Sequence, residues 1–93
     1  MSTSPLQDAF LRELAETFVV TQRRTADRLE SATDAAGRVQ VIRDELRGLY
    51  HGILVMFDGG TALADRGLIR IVDETGAEFD RALHEIGFRY WPA

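Results

Sequence analysis

The chain has 93 residues, 45% hydrophobic and 28% charged, with no cysteine and a formal net charge of −4. This is the size and balance of one small globular domain, with a single core and about two thirds of the unfolded surface buried. The absence of cysteine excludes disulfides, thiolate zinc sites and thiol nucleophiles. All eleven basic residues are arginine, so Schiff-base chemistry, a P-loop lysine and a lysine general base are excluded as well.

Lysine and asparagine are both missing. Their codons are AT-rich, which points to a bacterium of high GC content. The opening residues, Met1-Ser-Thr-Ser-Pro5, have no basic segment and are followed by Asp8 and Glu13, unlike a signal peptide. The longest aliphatic and aromatic run, Ile53 to Phe57, is far shorter than a membrane span. A cytoplasmic location is expected.

Ser4-Pro5-Leu6-Gln7 starts a helix: Ser4 is a capping residue, Pro5 loses nothing at the first helical position, and Gln7 suits a capping box. Phe10, Leu11, Leu14, Phe18 and Leu29 fall on one face of a helix over residues 5–30. Arg12, Glu13, Glu16, Arg23, Asp27 and Glu30 fall opposite, and Val20 is an apolar residue out of place among them. Thr33 or Asp34 can cap a second helix after a short connection, although Ala35 and Ala36 would also suit an uninterrupted one.

The second helix, expected over residues 35–57, has two apolar stripes. Val39, Ile42, Leu46, Leu49, Ile53 and Met56 follow the 3-4 spacing of a helix–helix seam. Val41, Gly48, Gly52 and Val55 form a second stripe on another side. Each glycine inside a helix costs about 1 kcal/mol relative to alanine, so close approach of another backbone at that stripe is expected to offset it. A helix apolar on two sides is normally sandwiched between partners.

Phe57-Asp-Gly-Gly-Thr61 ends the helix with a glycine for the left-handed cap. Leu68 to Val72 is β-branched and short, Asp73-Glu-Thr-Gly76 is a turn, and Ala77 to Phe79 reads as a return strand, giving an expected hairpin over 68–79. Asp80 is the expected cap of a last helix over 80–87, and Phe88, Tyr90 and Trp91 close the chain as a lid on the core. The expected fold is therefore α+β and mostly helical: two long antiparallel helices, a β-hairpin packed on them and a short C-terminal helix, in one domain over residues 1–93.

Candidate sites are few. His51 and His84 are the only histidines. Asp80 with His84, and His51 with Asp58, match no ligand motif, so no metal and no cofactor are expected. His51 is expected on a polar face with Asp44 and Arg47. Asp58, Gly59, Gly60, Thr61 and Asp65 form the one loop suited to an anion on backbone amides or a cation on carboxylates, and helix termination explains the same residues. Arg23, Arg24 and Arg28 cluster on the first helix but are interrupted by acids. Neither half of the chain is basic, which argues against nucleic acid.

No pair of acid–base residues sits in a recognisable catalytic motif. The expectation is a non-catalytic protein–protein interaction module, self-associating as a homodimer or binding another protein. Val20, Arg24, Val41, Gly48, Gly52 and Val55 are the expected contact residues, with the hairpin edge. An immunity- or antitoxin-like protein is one form of it, because acidic charge speeds association with a basic partner. A small-ligand or metal-binding domain using the Asp58–Asp65 loop and the two histidines is the alternative.

Overall fold

The structure, a computed structural model, describes residues 4–80 and 82–92. Helix α1 spans Pro5–Ser31 and α2 spans Ala35–Phe57; a 3₁₀ turn follows at Ala62–Asp65, then a long extended segment, a short α3 at Leu83–Gly87 and a 3₁₀ turn at Phe88–Tyr90. Local chemistry sets the helix limits. Ser4 Oγ accepts the Leu6 N–H at 3.2 Å with Pro5 beside it, and Asp34 Oδ1 accepts the Gly37 N–H at 2.7 Å. The first helix does not run into the second, because Ala32 is extended and Asp34 caps a new start. Helix α2 ends in a Schellman motif: Gly59 has φ +78°, the Gly60 N–H reaches the Val55 carbonyl at 2.9 Å and the Gly59 N–H reaches the Met56 carbonyl at 3.3 Å.

The two long helices are antiparallel. Near their connection Glu45 of α2 is buried against α1 and takes Arg24 Nε at 2.5 Å and Arg28 Nη1 at 2.8 Å. At the other end Phe10 packs on Phe57 with ring centroids 5.5 Å apart, and Thr61 Oγ1 donates to Glu13 at 2.9 Å. Buried Thr21, Val41 and Glu45 lie along the contact line.

The expected β-hairpin over 68–79 is not present, and the expected α+β class is corrected to an all-helical one among the described residues. Residues 67–80 hold a single isolated bridge, Val72 to Glu78, and no strand. The turn chemistry is local and forms: Asp73 Oδ1 accepts the Thr75 and Ala77 N–H groups at 2.8 and 3.1 Å, and Gly76 has φ +88°. Pairing stops after it because a two-stranded ribbon needs a packed face, whereas Leu68, Val72 and Phe79 remain exposed. An Arg70–Glu78 ion pair spans the segment instead.

The expected last helix over 80–87 is also shorter, starting at Leu83. Its cap is not Asp80 but Asp58, which lies 25 residues earlier and accepts the Leu83 N–H at 2.9 Å. The C-terminal segment packs on the flank of α2 away from α1. Tyr50 Oη donates to the Gly87 carbonyl at 3.0 Å, Trp91 stacks near Tyr50 at 5.1 Å, and the Arg47 guanidinium lies 4.8 Å over the Phe88 ring. Gly87 lets the segment approach closely, since a Cβ there would run into the Leu54 side chain and meet Tyr50 Oη at 3.1 Å.

The molecule is thin for its mass. It measures 50 × 29 × 21 Å with a radius of gyration of 16.0 Å, against about 12 Å for a compact chain of this length. Among the described residues the fully buried hydrophobic ones are Val41, Met56 and Leu63, a small core.

Candidate functional site

Two regions carry the features from which a function can be argued. The first lies where α3 meets α2. Asp58, its side chain 4% exposed, accepts the Leu83 and His84 N–H groups, and its Oδ2 lies 2.5 Å from His84 Nδ1. Burial alone would raise the Asp58 carboxyl, but the His84 N–H, the His84 ring and the Leu83 N–H outweigh it and hold the group below its ordinary value. Ala82, at the α3 cap position, has no polar side chain, so the orphan donors of that helix draw a carboxylate from elsewhere in the fold.

His51 lies edge-on to His84, with centroids 5.7 Å apart, and not in the expected arrangement with Asp44; Asp44 instead takes Arg28 and Gln40. Arg47, Gly48, Tyr50, His51, His84, Phe88 and Trp91 line a mostly apolar cavity of about 310 Å³. Sequence spacing linked His51 to Asp58 and His84 to Asp80; the fold brings His51, Asp58 and His84 together. Among the described residues no group of three or more histidines and carboxylates is placed to hold a metal ion.

The rest of the 58–65 loop has structural contacts. Gly59 and Gly60 terminate α2, and Thr61 Oγ1 both accepts the Leu63 N–H at 3.2 Å and donates to Glu13. Asp65 is exposed in the 3₁₀ turn.

The second region is the surface of the α1–α2 hairpin. Of the stripe Val41, Gly48, Gly52 and Val55, Val41 is buried, and the two glycines open on a groove shared with Glu13, Glu16, Val20 and Arg24 of α1. The close backbone approach expected at the glycines is not found: a Cβ at Gly48 or Gly52 meets nothing within 4 Å. Val55 packs beside Gly60. Val20 is exposed on the groove wall, while Arg24 is drawn across to Glu45. The two guanidiniums hold the Glu45 carboxyl below its ordinary value, Arg24 most strongly and then Arg28, against the opposing effect of burial.

The heptad-spaced stripe of α2, expected to form a helix–helix seam, lies in large part outside the core of the chain. Met56 is buried, but Val39, Ile42 and Leu46 are 58%, 43% and 49% exposed. On α1, Leu11 and Phe18 are 52% and 47% exposed. A helix turns about 100° per residue. The exposed residues of both helices are rotated in the same sense from the contact line, Leu11 and Phe18 from Leu14 and Thr21, Ile42 and Leu46 from Val41 and Glu45. In an antiparallel pair the same sense of rotation leads to the same side, so the two stripes lie on one side of the hairpin, opposite the charged groove. The 3-4 spacing was its signal in the sequence, but that spacing does not distinguish a seam within the chain from one between chains.

The chain matches no family model, no curated protein and no solved structure. No helix among the described residues is long and apolar enough to cross a membrane.

Proposed function

We propose that this chain is a non-catalytic protein–protein interaction module of the bacterial cytoplasm, acting through the exposed apolar side of its helical hairpin. The observation that carries the reading is surface. The chain exposes 7034 Å², whereas a compact monomer of 10.4 kDa exposes roughly 5,400 Å². Leu11, Phe18, Val39, Ile42 and Leu46 of α1 and α2 are among the large apolar side chains left exposed, and exposed apolar surface of this kind marks interaction sites. Polar groups at and beside the apolar cavity also favour a structural role: Asp58 accepts three donors, and Tyr50 Oη donates to the Gly87 carbonyl. Masking of a basic partner, as an immunity protein or antitoxin does, is the form of this reading that a net charge of −4 suits.

The test combines light scattering on the purified chain with quantitative co-purification from its host. A particle heavier than one chain, or a stoichiometric partner, is the expected result. A monomer that retains nothing in stoichiometric amount would overturn the reading.

A second reading rests on the 310 Å³ cavity, where Arg47, His51 and His84 face an aromatic wall. It suits a small aromatic acid. Benzoate and indole carboxylates would raise the melting temperature, and an unchanged value across them would remove it.

A further inference from the structure

The occupant of the apolar face can be named from the fold. We propose that it is a second copy of this chain, seated by a two-fold axis on the side formed by Leu11, Phe18, Leu29, Val39, Ile42 and Leu46. This rests on the interaction reading above and specifies its partner and its surface.

A domain is ordinarily two packed layers around a core, and at the connection end the α1–α2 hairpin is a single layer. The protein is 21 Å along its shortest axis, and among the described residues Val41, Met56 and Leu63 are its fully buried hydrophobic ones. A second hairpin laid on the apolar side supplies the missing layer. The core of each copy is then extended by the other, and a second copy is at hand wherever the chain is made.

The exposed area fits a second copy. The chain exposes about 1,600 Å² more than a compact monomer of its mass. A stable dimer of standard size needs about 800 Å² from each partner, about half of that excess.

The sequence pattern fits one as well. Val39, Ile42, Leu46, Leu49 and Ile53 carry the heptad spacing of a seam, yet the first three are exposed. Between Leu11 and Leu29 the side of α1 turned the same way carries no charge. A two-fold contact requires a surface complementary to itself. Gln22, exposed midway along this side of α1, has both a donor and an acceptor to offer its own copy. The opposite groove is a poorer seam, because Glu13, Glu16 and Arg24 line it.

The full chain has no cysteine, which makes the test clean. The wild-type chain should scatter light as a dimer. Leu46→Glu places a carboxylate in the seam twice and should weaken dimerisation by more than about 100-fold while circular dichroism stays helical, since position 46 is half exposed in one chain. Val20→Glu, in the groove, should leave the dimer intact. Independently of folding, Leu46→Cys should form an interchain disulfide on mild oxidation, and Val20→Cys should not. A dimer that ignores Leu46→Glu and cross-links through Val20→Cys would overturn this face while leaving self-association standing. A wild-type monomer at all concentrations would overturn the second copy as occupant, and a stoichiometric foreign protein lost in Leu46→Glu would assign the same face to a heterologous partner instead.

Discussion

Glu45 and Asp58 are the two carboxylates on which the tertiary contacts converge, and each does so by burial among donors. Glu45 is buried beneath α1 and holds two guanidiniums. Because Arg24 and Arg28 are themselves about half exposed, solvent screens the pair, and we expect Glu45→Gln to cost about 1 kcal/mol rather than the about 3–5 kcal/mol of a wholly buried pair broken on one side. Both carboxyls titrate below their ordinary values in the folded chain. The unfolded state therefore binds protons first as the pH falls. Stability from these groups is present above about pH 4–5 and is lost as the pH drops through the folded-state values. Chemical denaturation at a series of pH values should show this loss for the wild type and a shallower one for Glu45→Gln. Asp58→Asn should weaken the cap and the His84 contact, at about 1–3 kcal/mol. Trp91 is the only tryptophan and packs on Tyr50, so release of the C-terminal segment would appear as a red shift of its emission.

At the scale of elements, the glycines separate into opposite classes. Gly48 and Gly52 lie in the middle of α2 with open space where a Cβ would stand. Gly48→Ala and Gly52→Ala should each raise stability by about 0.5–1 kcal/mol, because the helix gains propensity and loses no contact. Gly87→Ala should lower it, since Leu54 and Tyr50 occupy that space. Melting temperatures of the three variants check the contrast. Much of this level was legible in the sequence. Ser4-Pro5, Asp34 and Gly59-Gly60 delimit α1 and α2 through contacts with residues no more than five away. The Asp73–Gly76 turn was legible for the same reason. The β-branched run Leu68–Val72 was misleading: it has the composition of a strand but no layer to lie on, and one bridge is all that forms. The α3 cap was illegible, because proximity along the chain favoured Asp80 whereas Asp58 reaches it only through the fold.

For the whole molecule, the deficit of buried apolar surface is the governing fact. If the proposed second layer is another copy, the stability of the chain depends on its concentration. Differential scanning calorimetry should find a melting temperature that rises by about 3–5 °C for each tenfold increase in protein. A value independent of concentration would mean that the single hairpin is stable by itself. Leu46→Glu, monomeric by design, should melt lower and show no such dependence. The same reasoning explains why the candidate surface was only half legible. Periodicity identified both stripes of α2 as apolar, but the arrangement of Glu45 with Arg24 and Arg28 turns the Val41 side toward α1 and leaves Val39, Ile42 and Leu46 outside.

The sequence by itself determined where the long helices start and stop, the turn at Asp73–Gly76 and the exclusion of thiol and lysine chemistry. Those properties depend on composition or on groups a few residues apart, whose encounter is settled by backbone geometry. The tertiary structure alone decided which stripe of α2 faces α1, which carboxylate caps α3, that His51 and His84 meet, and that residues 67–80 form no sheet. Each of these is a choice among surfaces of similar local quality, made by which arrangement satisfies buried charge and orphaned backbone donors at long range.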